Sequence, residues 1–188
     1  GRLAEAGIRV KGRVVVVADP RGPGRPAETD RVIARAVTPL ADAMGRANRE
    51  SLNMMAEAIL LRSAARADAP ADWPSAARQG GEVLQGEYGL DAGSFTVADG
   101  SGLSKSNRLS PAAVTCLLAA LADEEVFVAS LAVSGLSGSL ARRMKSRALR
   151  GRVRGKTGSL VGASALSGYL LSADGRPAVA FSVLTNDR

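Results

Sequence analysis

Three short groups of residues in this 188-residue chain are of types and spacings that do chemistry: Lys156-Thr157-Gly158, Ser51-Leu52-Asn53, and Asp99–Asn107, which reads DGSGLSKSN. The chain has no His and a single Cys, Cys116. The usual zinc ligand sets therefore cannot be assembled, and Ser-His-Asp or Cys-His mechanisms are excluded. Any nucleophilic step must take its base from Lys, Tyr or a carboxylate. Taken singly the groups are weak signals. A K-T-G tripeptide arises by chance in roughly a few chains in a hundred of this length, and alone it reads as an ordinary strand end. Ser51 alone reads as a helix cap.

Order and context strengthen them. S-x-x-K, S-D-N and K-T-G together mark penicillin-interacting serine enzymes. SLNMMAEAILLR (Ser51–Arg62), DGSGLSKSNRLSP (Asp99–Pro111) and GRVRGKTGSLVGASALSGYL (Gly151–Leu170) occur in this sequence in that order. Each resembles a segment of the class C low-molecular-weight penicillin-binding proteins, the D-alanyl-D-alanine carboxypeptidases/endopeptidases of peptidase family S13. The resemblance covers Thr38 to Asp187 and corresponds to the C-terminal portion of that family.

The resemblance implies a β-lactamase/transpeptidase-like α+β fold, an antiparallel sheet flanked by helices with a helical subdomain, incomplete in this chain. It implies as partners a peptidoglycan stem peptide ending in D-Ala-D-Ala and the β-lactam antibiotics that mimic it. It implies no cofactor and no metal, and a place in the cell envelope outside the cytoplasmic membrane. Lys156 and Thr157 would hold the substrate's terminal carboxylate, and the N–H of Ser159 would be the second oxyanion-hole donor. Gly158, without a side chain, would let an extended substrate lie against the strand. Ser51 would relay a proton towards the departing D-alanine, and Asn53 would bind the substrate amide and orient the catalytic lysine. Residues two apart at a helix entrance converge only if the first turn departs from regular helix, so Ser51 and Asn53 are expected in a loop-to-helix transition. Asp99, Gly100, Ser101 and Gly102 are expected to brace the cleft rather than to react. Leu52 stands where many relatives carry Asp, a variable position of the motif.

No Ser is followed three residues later by Lys, and Ser104-Lys105 has the wrong spacing. The family takes its attacking hydroxyl and its lysine base from S-x-x-K, adjacent on a helix. These residues alone are therefore expected to be inactive, with the nucleophile on a missing N-terminal part of the same protein. The alternative is a non-catalytic peptidoglycan-binding or scaffolding module of the same fold. A basic globular domain with fortuitous motifs is the third reading, disfavoured by three matches in order.

The elements that must position these groups follow from periodicity. Arg13–Ala18 reads as a buried strand and Asp19–Glu28 as a Pro/Gly-rich loop, so residues 1–37 form the end of a preceding segment and residues 38–188 the domain that carries the motifs. Thr38-Pro39 reads as a cap with proline at the first helical position, leading into Leu40–Arg46. Helices are expected over Ser51–Arg66, with Met55, Ile59 and Leu60 as the apolar stripe, and over Pro74–Tyr88, weakened by Gly80 and Gly81 and stopped by Gly89. Another runs from Ser110-Pro111 to about Ala122. Gly138–Leu149 reads as a short helix or turn. Strands are expected over Ser94–Ala98, Arg152–Thr157, Ala163–Leu171 and Pro177–Thr185, the last two joined by an Asp174-Gly175 turn. The first residue is not Met and the chain stops directly after a strand, which reads as a piece of something longer.

Hydrophobic residues make up 46% and charged residues 23%, the composition of a globular protein rather than a disordered or coiled-coil one. No apolar run approaches a membrane span and no targeting segment opens the chain. Cys116, in the apolar stretch Val114–Leu121, is expected to be a buried structural thiol. The net charge is +7. Arg142, Arg143, Lys145, Arg147, Arg150, Arg152, Arg154 and Lys156 supply much of it with no acid among them. Aromatics at 3% leave too few stacking platforms for a nucleic-acid reader, so no nucleic acid is expected as partner. Non-specific attraction to anionic polymers, those of the cell wall included, fits the stripe.

Overall fold

The computed structural model describes residues 37–66 and 71–186, with Glu5, Gly7, Arg9 and Lys11 as isolated positions before them. It divides into two compact units, Gly1–Val37 and Thr38–Arg188. The expected strand Arg13–Ala18 and loop Asp19–Glu28 lie outside the described residues.

Five helices and six strands are described in the second unit: α1 Leu40–Arg49, α2 Asn53–Ala64, α3 Trp73–Gly86, β1 Phe95–Thr96, β2 Arg108–Leu109, α4 Pro111–Ala120, α5 Glu125–Ser130, β3 Ala132–Val133, β4 Val153–Leu160, β5 Ala163–Leu171 and β6 Pro177–Asn186. The strands form a four-stranded sheet in the order β3-β4-β5-β6 and a two-stranded ribbon of β1 and β2, every pair antiparallel. The architecture is the α+β one expected, antiparallel sheets flanked by helices.

Local chemistry explains most boundaries. The Ser110 hydroxyl accepts the N–H of Ala113 with Pro111 behind it, which starts α4. Asp72 and Ser75 form a reciprocal capping box at α3. Gly89, at φ +64°, ends that region with its N–H on the Gln85 carbonyl. The helix runs unbroken through Gly80 and Gly81, where a β-carbon would meet Leu60 and Phe95 at ordinary contact distances of 3.5 and 3.7 Å. These glycines do not mark a break.

Four expectations need correction. Pro39 is the N-cap of α1 rather than its first residue, and α1 continues to Arg49. Helix α2 covers Asn53–Ala64, shorter at both ends than Ser51–Arg66. Strand β4 runs on through Leu160 instead of stopping at Thr157, because all eight of its residues pair with β5. Cys116 is exposed. Along α4 the inward positions are Ala113 and Leu118, so helical geometry turns Cys116 outward with Ala112 and Ala119. An apolar stretch rich in small residues hides which face is the core face.

Helix α4 lies between two apolar clusters. Leu118 joins Val128, Leu131, Tyr169 and Leu171 under the sheet, with Val114 and Phe127 packed against them. Ala113 joins Leu90 and Phe95, with Leu84, Val97 and Leu117 beside them. The Tyr169 ring is fully buried and its hydroxyl donates to the Leu118 carbonyl at 2.6 Å. Burial pushes that phenol's pKa up to about 12, which keeps it a donor at any ordinary pH.

Candidate active site

The K-T-G residues sit in the middle of β4, not at its end. Strand β3 covers only the beginning of β4, pairing Ala132 with Gly155 and Val133 with Arg154. From Lys156 to Leu160 the strand therefore has β5 on one side and, among the described residues, an open edge on the other. Backbone groups of successive strand residues point to alternate sides. The Val153 carbonyl accepts the Ser134 N–H on the β3 side. Period two then turns the backbone groups of Thr157 and Ser159 to that same, open side.

Lys156 brings its ammonium to this edge. Its Nζ donates to the Thr157 carbonyl at 2.5 Å and to Ser51 Oγ at 2.8 Å, across 105 positions of sequence. The ammonium has no carboxylate partner among the described residues, and burial of the half-covered side chain lowers its pKa below the ordinary lysine value. Ser51 has φ +57°, a left-handed conformation that serine adopts at a cost. Leu52 caps α2 and Asn53 is its first residue, so the expected loop-to-helix transition is present. The structure brings Ser51 to Lys156. Asn53 is exposed at the helix mouth, and no hydrogen bond joins it to Lys156 among the described residues. Gly158 and Ser159 lie on the exposed half of β4. A β-carbon on Gly158 would stand 3.3 Å from that of Ala165, so this glycine has a packing role between the strands.

The DGSG turn braces α2 from behind. Asp99 takes the N–H groups of Gly102 and Ser104 and the amide of Asn107 on its carboxylate, at 2.6–2.8 Å. Asn107 in turn accepts the N–H of Ala98 at 2.8 Å. The loop then presses onto the helix. A β-carbon at Gly100 would come within 2.5 Å of the Ala56 carbonyl oxygen, so only glycine permits the approach. The reading of Asp99–Gly102 as structural agrees with this geometry.

Sequence reasoning missed Glu57. Its carboxylate accepts the N–H groups of Gly100 and Ser101 at 3.2 and 3.1 Å and the Trp73 indole N–H at 2.9 Å, joining α2, the DGSG turn and α3. Burial alone would raise its pKa, but the hydrogen bonds from Ser101, Trp73 and Gly100 outweigh that, and the pKa lies below the usual glutamate value. The available signal was an acid two residues past an apolar pair in a helix facing a glycine turn, too common to single out. Glu57→Ala is expected to cost about 1–3 kcal/mol in urea unfolding, because two backbone donors and an indole lose their acceptor. A depressed carboxylate pKa gives stability present above the unfolded value and lost as pH falls through the folded one. The gap between parent and variant should therefore close below about pH 4, near the reference glutamate pKa.

Comparison with known proteins adds the context. The sequence matches the D-Ala-D-Ala carboxypeptidase 3 (S13) family over residues 1–188. It is 39% identical to the D-alanyl-D-alanine carboxypeptidase of Actinomadura sp. strain R39 over 113 residues, 56% of this chain and 20% of that protein. It is 32% identical to carboxypeptidase DacB of Mycolicibacterium smegmatis over 160 residues, 79% of this chain and 34% of that protein. The crystal structure of penicillin-binding protein 4 from Haemophilus influenzae superposes with a TM-score of 0.76 at 26% identity, over 98% of this chain and 40% of that one. The chain thus spans well under half the length of these relatives, and it shares their fold.

Proposed function

Because the chain belongs to the D-Ala-D-Ala carboxypeptidase 3 (S13) family, we propose that it supplies the substrate-holding side of a serine-type D-Ala-D-Ala carboxypeptidase acting on peptidoglycan stem peptides in the cell envelope. The observation that carries this reading is the meeting of Lys156 Nζ and Ser51 Oγ at 2.8 Å beside an open strand edge. A peptide ending in D-Ala-D-Ala would lie along that edge as an added antiparallel strand, matched by the backbone of Thr157 and Ser159. Its terminal carboxylate would meet Lys156 and the Thr157 hydroxyl. The N–H of Ser159 would face the oxygen of the scissile carbonyl, where charge develops in the tetrahedral intermediate. Asn53 would take the substrate amide, and Ser51, already hydrogen-bonded to Lys156, would pass a proton to the leaving D-alanine.

The attacking hydroxyl is the missing part. No Ser in these residues has Lys three positions on; in this reading a segment of the same protein outside them would supply the nucleophile and its lysine base. β-Lactams are ligands of this site by the same logic, since they present a carboxylate beside a reactive carbonyl. A relative of this fold, the H. influenzae protein, has been solved in complex with a β-lactam.

Incubation with labelled penicillin tests the division of labour. The chain should take up no covalent label, and an adduct at any of its serines would overturn the placement of the nucleophile elsewhere. An S-x-x-K on a helix encoded alongside these residues decides for the enzyme. Its absence from the complete protein decides for a module that binds peptidoglycan without turnover.

A further inference from the structure

The basic stripe divides in two. Arg152 donates to the Leu171 carbonyl at 2.9 and 3.1 Å, Arg154 to the Val128 carbonyl at 3.2 Å, and Lys156 belongs to the cleft. Arg142, Arg143, Lys145, Arg147 and Arg150 do none of this. All five are exposed. The two ion pairs among the described residues, Arg46–Glu50 and Arg78–Glu82, involve none of them. Five cations are thus concentrated in nine residues that include no acid, and no ion pair among the described residues neutralises them.

The loop that carries them is held in shape. The buried hydroxyl of Ser134 donates to the Leu149 carbonyl at 2.6 Å and accepts the Val153 N–H at 3.1 Å, while the Gly151 N–H returns to the Ser134 carbonyl at 2.8 Å. A β-carbon at Gly135 would stand 3.0 Å from Arg150 Cγ and 3.5 Å from Lys145 Cα, and one at Gly151 would stand 3.4 Å from Leu136 Cδ1. Leu136, 54% exposed, and Leu149, 37% exposed, therefore lie among the cations.

We infer that the Leu136–Arg150 loop is an interfacial surface for an anionic phospholipid bilayer. Soluble polyanions need only the charge. Exposed leucines between lysine and arginine side chains are what a headgroup region rewards, with the apolar groups entering the acyl boundary and the cations lying among the phosphates. No helix among the described residues is long and apolar enough to cross a membrane; the contact inferred here, made by the cations and two leucines of one loop, is peripheral. None of the five cations or two leucines is among the residues of the Lys156–Ser51 site, and the inference goes beyond the proposed peptidase reading.

Co-sedimentation with vesicles tests it. The chain should pellet with vesicles of phosphatidylglycerol and phosphatidylcholine at low salt and be released at high salt, where the charges are screened. It should stay in solution with phosphatidylcholine alone. Each neutralised cation should weaken partitioning about fivefold. Arg142→Gln, Arg143→Gln, Lys145→Gln and Arg147→Gln combined should therefore lose it by at least about a hundredfold, with an unchanged thermal melt showing that the variant is folded. Leu136→Ser with Leu149→Ser should weaken vesicle binding while leaving retention on a soluble polyphosphate unaltered. Pelleting equally well with neutral vesicles, or undiminished in the quadruple variant, overturns the inference. So does leucine-independent binding that polyphosphate competes away, which would make the surface a soluble-polyanion site.

Discussion

Lys156→Met is expected to weaken binding of an acetylated D-Ala-D-Ala peptide to this chain by about ten- to a hundredfold, read by NMR titration. A charge-assisted hydrogen bond to a carboxylate contributes about 1.5–3 kcal/mol, and methionine keeps the length of the side chain while removing the ammonium. The same substitution has an opposite signature in stability. Burial lowers the Lys156 pKa, so the folded chain binds this proton less well than the unfolded one. Between the depressed folded pKa and the unfolded value near 10.5, the unfolded state carries more protons and stability rises with pH. The parent should therefore gain stability relative to Lys156→Met as pH climbs towards that value, and the difference should level off above it. Unchanged peptide affinity would remove the carboxylate role. A stability difference indifferent to pH would show an ammonium as well solvated in the fold as outside it.

Gly168→Ala is expected to cost more than about 3 kcal/mol, or to prevent folding, in urea titration. Gly168 faces Gly155 across β4 and β5. A β-carbon on it would overlap the Arg154 carbonyl oxygen and come within 2.5 Å of Gly155 Cα. Nothing in that contact is a flexible side-chain end, so the strands must separate, and overpacking against backbone lies in the severe tail of single substitutions. The altered strand, β5, is the partner of the one holding Lys156, which pairs with Ser167 beside the substitution, so a chain that survives should also bind ligand less well. A variant within about 1 kcal/mol of the parent, the centre of the range for single substitutions in general, would mean that the strands tolerate a wider spacing than the structure gives them.

Reading the residues in order recovered the helical core of α2, the whole β5–β6 hairpin and the start of α4, because those signals are local: an apolar stripe, an Asp-Gly turn, a Ser-Pro cap. It also brought Ser51 and Lys156 together, though through resemblance to a family and not through spacing. The failures share a cause. Gly158 and Ser159 have little intrinsic preference for extended structure, and only pairing with Ala165 and Ser164 makes them strand. Cys116 is outward for a reason that lies in what α4 packs against. Glu57 acquires its role from two segments that fold onto it from 16 and 43 positions away. Tertiary partners decide such residues, and no window of sequence contains them.

The position of α4 has a mechanical consequence. Ala113 and Leu117 of that helix serve the cluster beside α3 and β1, while Val114 and Leu118 serve the cluster beneath β5 and β6. One beam thus carries both apolar clusters, and neither is complete without it. Heating should melt the two clusters in a single calorimetric event, and softening the beam from either flank would loosen both.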